Sequence, residues 1–127
     1  MTLFCVDTSA WHHSTHPEVA LEWTRYLERD QLGLCDQVRL EILWSARSAK
    51  DYEALAEELS ALPLIVTDAS TFQRALEIQR RLTHVGGLHH RSVKIADLVI
   101  AAAAEAAAVT VLHYDADFDR QVAADVF

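Results

Sequence analysis

Short apolar runs alternate along the chain with longer stretches in which apolar residues recur every three or four positions. The runs "TLFCVD", "LGLC", "PLIVT" and "VTVLHYD" read as four buried strands, apolar on both faces. Between them lie helical patterns. Residues 8–30 carry Val19, Leu21, Trp23, Tyr26 and Leu27 on a broad apolar face, with Pro17 suited to a first helical turn. Residues 37–49 follow Asp36, placed to cap them, and residues 51–62 form an amphipathic helix stopped by Pro63. Residues 68–85 predict a capped helix closed by Gly86-Gly87, followed by a loop "GGLHHRS". Residues 93–108 predict a helix from alanine propensity alone, and "DFDRQVAAD" predicts a short final helix. Strands without polar alternation, each followed by helices, imply a parallel sheet covered on both faces. Functional groups on such sheets sit just beyond the carboxyl ends of the strands.

Composition narrows this little. A chain of 127 residues, 51% hydrophobic, with three glycines, two prolines and no internal repeat, suits one domain over 1–127. Cys5 and Cys35 lie in apolar runs and are expected to be buried and free. The start "MTLFCVD" lacks a basic segment and an apolar leader. The run "LVIAAAAEAAAVTVL" is broken by Glu105 and is too alanine-rich for a membrane span, so a soluble cytoplasmic protein with no membrane partner is expected. The formal charge of -8 is the wrong overall sign for a nucleic-acid binder, so any such role needs a local basic surface.

Acids in apolar surroundings change the picture. Asp7 ends the first strand, and its bland role is a turn or cap. Glu41 lies among Leu40, Ile42, Leu43 and Trp44, where its bland role is a narrow polar stripe with Gln37 and Ser45. Asp97 sits in "VKIADLVIAAAA", where a buried carboxylate costs several kcal/mol, on the order of a lost charge partner, unless Lys94 or a ligand compensates it. Asp115, Asp117 and Asp119 follow the last parallel strand at every second position, and capping the next helix needs only one of them. If the ends of strands one and four are neighbours, these acids share a pocket and raise one another's pKa values. A hard divalent cation relieves that conflict, and oxygen-only ligands favour Mg²⁺ or Mn²⁺ over zinc. The seven histidines offer one i, i+4 pair, His12 and His16, a weak zinc signal.

The ordered set "VDTSAW", a mid-chain helical glutamate, "ADLVIAAAA" and "LHYDADFDR" resembles a PIN-domain ribonuclease, specifically a VapC-type toxin of a bacterial toxin–antitoxin pair. The resemblance covers essentially the whole chain. It implies a three-layer α/β/α sandwich, Mg²⁺- or Mn²⁺-dependent RNA cleavage, a VapB-type antitoxin and a homodimer. Carried over by position, Asp7, Glu41 and Asp97 fall on the family's first three acids. The fourth falls in "YDADF", at Asp115 or Asp117, with Asp115 favoured for the metal beside Asp7 and Asp97. Ser9 matches a small polar position that orients a carboxylate or water. Many relatives carry a further short strand near the end, whereas this chain stops at "AADVF".

For the RNA, residues 74–94 offer Arg74, Arg80, Arg81, Arg91 and Lys94 against Glu77 alone. Arg91, Lys94 and Arg81 are the phosphate-binding candidates, and the first two lie closest in sequence to Asp97. Trp11, Trp23 and Trp44 are candidate anchors for the antitoxin. Two rivals compete. A phospho-acceptor receiver domain needs paired acids after strand one and a lysine after the last strand, and the chain has neither. A PIN-like binding module without catalysis retains the fold but not the chemistry.

Overall fold

A computed structural model describes the backbone of residues 1–115 and 118–123 and the side chains of residues 1–114. Asp117 and the side chain of Asp115 therefore lie outside the described residues. Four parallel strands, β1 (Phe4–Val6), β2 (Leu32–Cys35), β3 (Leu64–Ile65) and β4 (Thr110–Asp115), carry an antiparallel edge strand β5 (Phe118–Ala123), in the order β3-β2-β1-β4-β5. The connections are α1 (Thr8–His13), α2 (Ala20–Glu28), α3 (Asp36–Trp44), α4 (Ala49–Ser60), α5 (Ala69–His84), α6 (His89–Ser92) and α7 (Ile95–Ala107). The chain is the expected three-layer α/β/α sandwich. From β1 it winds outward through β2 to β3, then crosses back to β4 on the other side of β1. The strand order thus reverses between β1 and β4. Crevices at such reversals, beyond the strands' carboxyl ends, are where open α/β sheets bind ligands.

The core explains why this arrangement holds. Cys5, Val6, Leu32, Leu34 and Cys35 from the sheet meet Val38 and Ile42 of α3 and Leu59 of α4, all nearly inaccessible. The two cysteines are buried and unpaired. Helix α7 contributes Ala101, Ala103 and Ala104 to this core, and turns Leu98 and Ala102 towards Ala75, Ile78 and Leu82 of α5. A run of alanines lets the helix pack on both neighbours without large side chains to separate them. Arg74 of α5 grips Glu105 of α7 with two bonds, Nε to Oε1 at 2.6 Å and Nη2 to Oε2 at 3.0 Å. Among the described residues no helix is long and apolar enough to cross a membrane.

Four expectations are corrected. The helix expected over 8–30 is two helices separated at 14–19. Pro17 has no N–H to give and disfavours helical backbone before it, and Ser14 Oγ turns back onto the Trp11 carbonyl at 2.6 Å. Asp36 is the first residue of α3 and not its cap, a place taken by the extended backbone of Cys35. A single helical turn, α6, occupies the expected loop. The final segment is a strand and not a helix. Phe118 to Ala123 pair antiparallel with Asp115 to Thr110, which satisfies the backbone groups that β4 would otherwise leave open at the sheet edge. The aspartate cap of α5 is as the sequence indicates: Asp68 accepts from Ser70 N and Thr71 N, and Gly86 and Gly87 leave the helix end at positive φ.

Candidate active site

Asp7 is the first residue beyond β1, at the reversal point. It caps α1 by accepting from Ala10 N at 2.9 Å, and it is only 6% exposed. The capping role and a role in chemistry are not exclusive, because each carboxylate oxygen has two lone pairs. Oδ1 also accepts from Ser9 Oγ at 2.7 Å, while Oδ2 is bonded to Nδ1 of His113. A carboxylate only accepts, so Nδ1 of His113 carries the hydrogen. Ser9 Oγ in turn accepts from Tyr114 N at 3.1 Å and lies 3.3 Å from His113 Nδ1. Ser9, His113 and the backbone of β4 therefore fix the orientation of Asp7. The register of β1 against β4 makes this possible: Val6 pairs with Leu112, and Asp7 N donates to the Leu112 carbonyl at 3.1 Å, which brings the next residue, His113, alongside.

Asp97 occupies the first turn of α7, where its N–H bonds the Lys94 carbonyl at 3.0 Å. Burial holds its carboxyl above the ordinary aspartate range. The charge of Asp7 pushes it further in that direction, as does Glu41, while Lys94 and His113 pull the other way. Among the described residues no ion pair forms to Asp97, so Lys94 acts on it through space and not as a bonded partner. Glu41 is half-buried on α3, and its Oε1 is enclosed without a hydrogen-bond partner among the described residues. An enclosed, unpartnered carboxylate oxygen is costly and calls for a proton or a cation. The structure thus brings Asp7, Glu41 and Asp97 within electrostatic reach of one another from β1, α3 and α7. The backbone of Asp115 ends β4, the strand that pairs with β1.

The donor set of Asp7, Glu41 and Asp97 is oxygen only, the chemistry of Mg²⁺ or Mn²⁺. Among the described residues, no three His, Cys, Asp or Glu side chains are already gathered to hold an ion. His16 stacks on His13.

The basic rim is smaller than the sequence suggests. Arg74 is consumed by Glu105 and by Glu77 at 3.0 Å, and these partners raise its pKa. Arg81, Arg91 and Lys94 are exposed, on α5, α6 and the residue preceding α7. Of the tryptophans, Trp11 and Trp23 are half-buried and pack edge to face at 6.0 Å against the core, whereas Trp44 is 87% exposed. Reading the sequence missed His113 and Tyr114 as parts of the site. Their signal is register: once β4 is placed beside β1, the residues after Leu112 fall next to Asp7.

The sequence matches the PIN domain family over residues 4–123. The chain belongs to the PIN-domain family. This PIN domain is 63% identical over 121 residues to Ribonuclease VapC18 of Mycobacterium tuberculosis (strain ATCC 25618 / H37Rv), spanning 95% of this chain and 88% of that protein. It is 41% identical to Ribonuclease VapC21 of the same strain, over 94% of this chain and 86% of that one. Its fold is similar to a chain of the DNA-bound VapBC crystal structure from Salmonella typhimurium, with TM-score 0.74, 16% identity and coverage of 97% and 96%. VapBC2 from Rickettsia felis, bound to a promoter DNA fragment, gives TM-score 0.71 at 15% identity. In the PIN domain the acids contributed by β1, α3 and α7 thus come from three separate parts of the sequence.

Proposed function

We propose that this PIN domain is a VapC-type endoribonuclease, the toxin of a toxin–antitoxin pair, cutting RNA in the cytoplasm with Mg²⁺ or Mn²⁺. One observation carries the reading. Asp7 and Glu41 both act electrostatically on the half-buried Asp97, and the enclosed Oε1 of Glu41 lacks any partner among the described residues. The names of its relatives support the same activity. Asp7, Asp97 and Asp115 would hold the ion, with Glu41 completing its outer ligands and Asp117 as the alternative fourth acid. The chemistry such an ion supplies is Lewis-acid stabilisation of phosphoryl oxygens and a lower pKa for an attacking water. The chain's own residues do the positioning. Ser9 and His113 hold the Asp7 carboxylate in one orientation. Asp97 is half-buried, and a bound cation would offset the burial and the charge of Asp7 that hold its carboxyl above the ordinary aspartate range. The phosphodiester is hydrolysed by in-line attack of water on phosphorus, with departure of the ribose oxygen. Cleavage of single-stranded RNA with added Mn²⁺ and none with a chelator is the expected result. Intact RNA under both conditions would leave the silent binding module. One observation favours that second reading: both oxygens of Asp7 are already hydrogen-bonded, one of them to His113.

Exposed Lys94, whose charge acts on Asp97, and exposed Arg91, three residues before it, would bind phosphates beside the acids. Replacing both with alanine is expected to weaken RNA binding and reduce its salt slope by roughly one unit or less per contact. Affinity measured across a salt series checks this, and an unchanged slope removes the rim. The antitoxin would cover the apolar outer face of α3, where Leu40 and Trp44 stand one turn apart beside an open groove lined by Tyr52. A second copy of the chain would cover Phe72 and Leu76, exposed one turn apart on α5.

A further inference from the structure

Three rings stack next to the acid pocket. His13, at the end of α1, lies face to face with Tyr114 of β4, with ring centroids 3.3 Å apart and planes 17° apart. His13 also stacks with His16, at 4.6 Å and 19°. The inner end of the stack is tied to the site: Tyr114 N donates to Ser9 Oγ, which donates to Asp7. The outer end is open, because His16 is exposed while His13 and Tyr114 are half-buried. The His16 ring is held in place by Glu18 N, which donates to its Nδ1 at 3.3 Å. Nδ1 is then an acceptor, which leaves Nε2–H as a donor pointing away from the backbone.

None of the three rings belongs to the buried cluster or to the residues packed on it. A column of flat rings with an exposed terminal face, beside a phosphodiester-cutting site, fits the face of an unpaired nucleobase. Resting on the ribonuclease reading above, we infer that the His16–His13–Tyr114 stack is a nucleobase subsite. It takes one base of single-stranded RNA onto His16 and so fixes which phosphate lies over Asp7 and Asp97. Base-on-ring stacking accepts any base, so the subsite sets register along the strand more than sequence. The Nε2–H of His16 adds a donor for the flanking phosphate or sugar.

The test uses the full chain carrying Asp97→Asn, so that RNA survives the measurement, and a fluorescein-labelled single-stranded RNA read by anisotropy. A set of the same RNA with one abasic position stepped along it serves as the second arm. His16→Ala is expected to weaken binding roughly ten-fold, within the range for loss of one stacked base. His16→Phe, which keeps a flat ring, should bind within a few-fold of the parent. One abasic position should weaken the parent by about as much, and that RNA should no longer distinguish His16→Ala from the parent. A purely structural role for His16 predicts a lower melting temperature and equal losses on every RNA, and that result overturns the inference. So does unchanged affinity in His16→Ala. The nuclease reading is tested apart, by cleavage with native Asp97. Intact RNA there, with the abasic pattern still present, would remove the enzyme and leave the base subsite.

Discussion

Asp97→Asn is expected to lower RNA cleavage by roughly two orders of magnitude or more, comparable to removing one preorganised electrostatic partner, while leaving the fold intact. The amide keeps the shape of the carboxylate but is a poor ligand for a hard cation. The stability of the metal-free protein should move in the opposite direction. Burial and the charge of Asp7 raise the Asp97 pKa in the native state above its unfolded value. The native chain then holds a proton that the unfolded chain has released, so stability falls as pH rises through that interval. Asparagine does not titrate. The variant should therefore match the wild type in acid, where the carboxyl is protonated in both states. Its advantage should grow as pH rises from the unfolded-state pKa to the native one and stay constant above. Mn²⁺ should raise the wild-type melting temperature by mass action and that of the variant much less. Melts across pH, with and without Mn²⁺, beside a cleavage assay, read all of this. If instead Asp97 only served Lys94, the variant would lose a little stability, keep its metal response and cut RNA normally.

What sequence reveals here follows from where the determining forces act. The strands β1, β2 and β4 and the helix α5 are legible because propensity, capping and burial agree within each segment: "LGLC" is buried at every position, and Asp68 and Gly86 bracket α5. Helix α7 is legible for the same reason, since alanine is both the best helix former and the residue that packs closest to the sheet. Asp97 stood out because a carboxylate there contradicts its neighbours. His113 did not stand out, because a histidine near the end of an apolar strand contradicts nothing. Its contact with Asp7 depends on the β1–β4 register, which no single segment contains. The final segment failed differently. "FDRQVA" has no strong period, and the open edge of β4 decides its conformation. The break between α1 and α2 is not legible because Pro17 suits a first helical turn as well as the break in which it lies.

Helix α3 carries Glu41 between two apolar surfaces, and substitutions on either side should separate stability from partner binding. The run "VRLEILW" is apolar nearly all round, but the fold assigns its faces: Val38 and Ile42 are fully buried, whereas Leu40 is 66% and Trp44 87% exposed. Ile42→Ala removes side-chain volume from the centre of the main core, where Leu34, Leu59 and Cys35 cannot fully collapse into the gap. The expected loss is about 2–5 kcal/mol of stability, a large part of what a domain of this size possesses. Cleavage should survive in whatever fraction remains folded, because Ile42 touches the chemistry only through the placement of α3. The pair Leu40→Ala and Trp44→Ala should do the reverse. Removing exposed side chains changes stability by about 0.5 kcal/mol or less, and cleavage should be unaffected. Capture of the antitoxin should fall by at least ten-fold, since large exposed aromatic anchors carry a disproportionate share of interface energy. Denaturant melts and a titration with the purified antitoxin distinguish the two faces. Full-strength antitoxin binding by the Leu40/Trp44 variant would place the antitoxin on another surface. A negligible loss of stability in Ile42→Ala would mean that α3 is not anchored as its burial indicates.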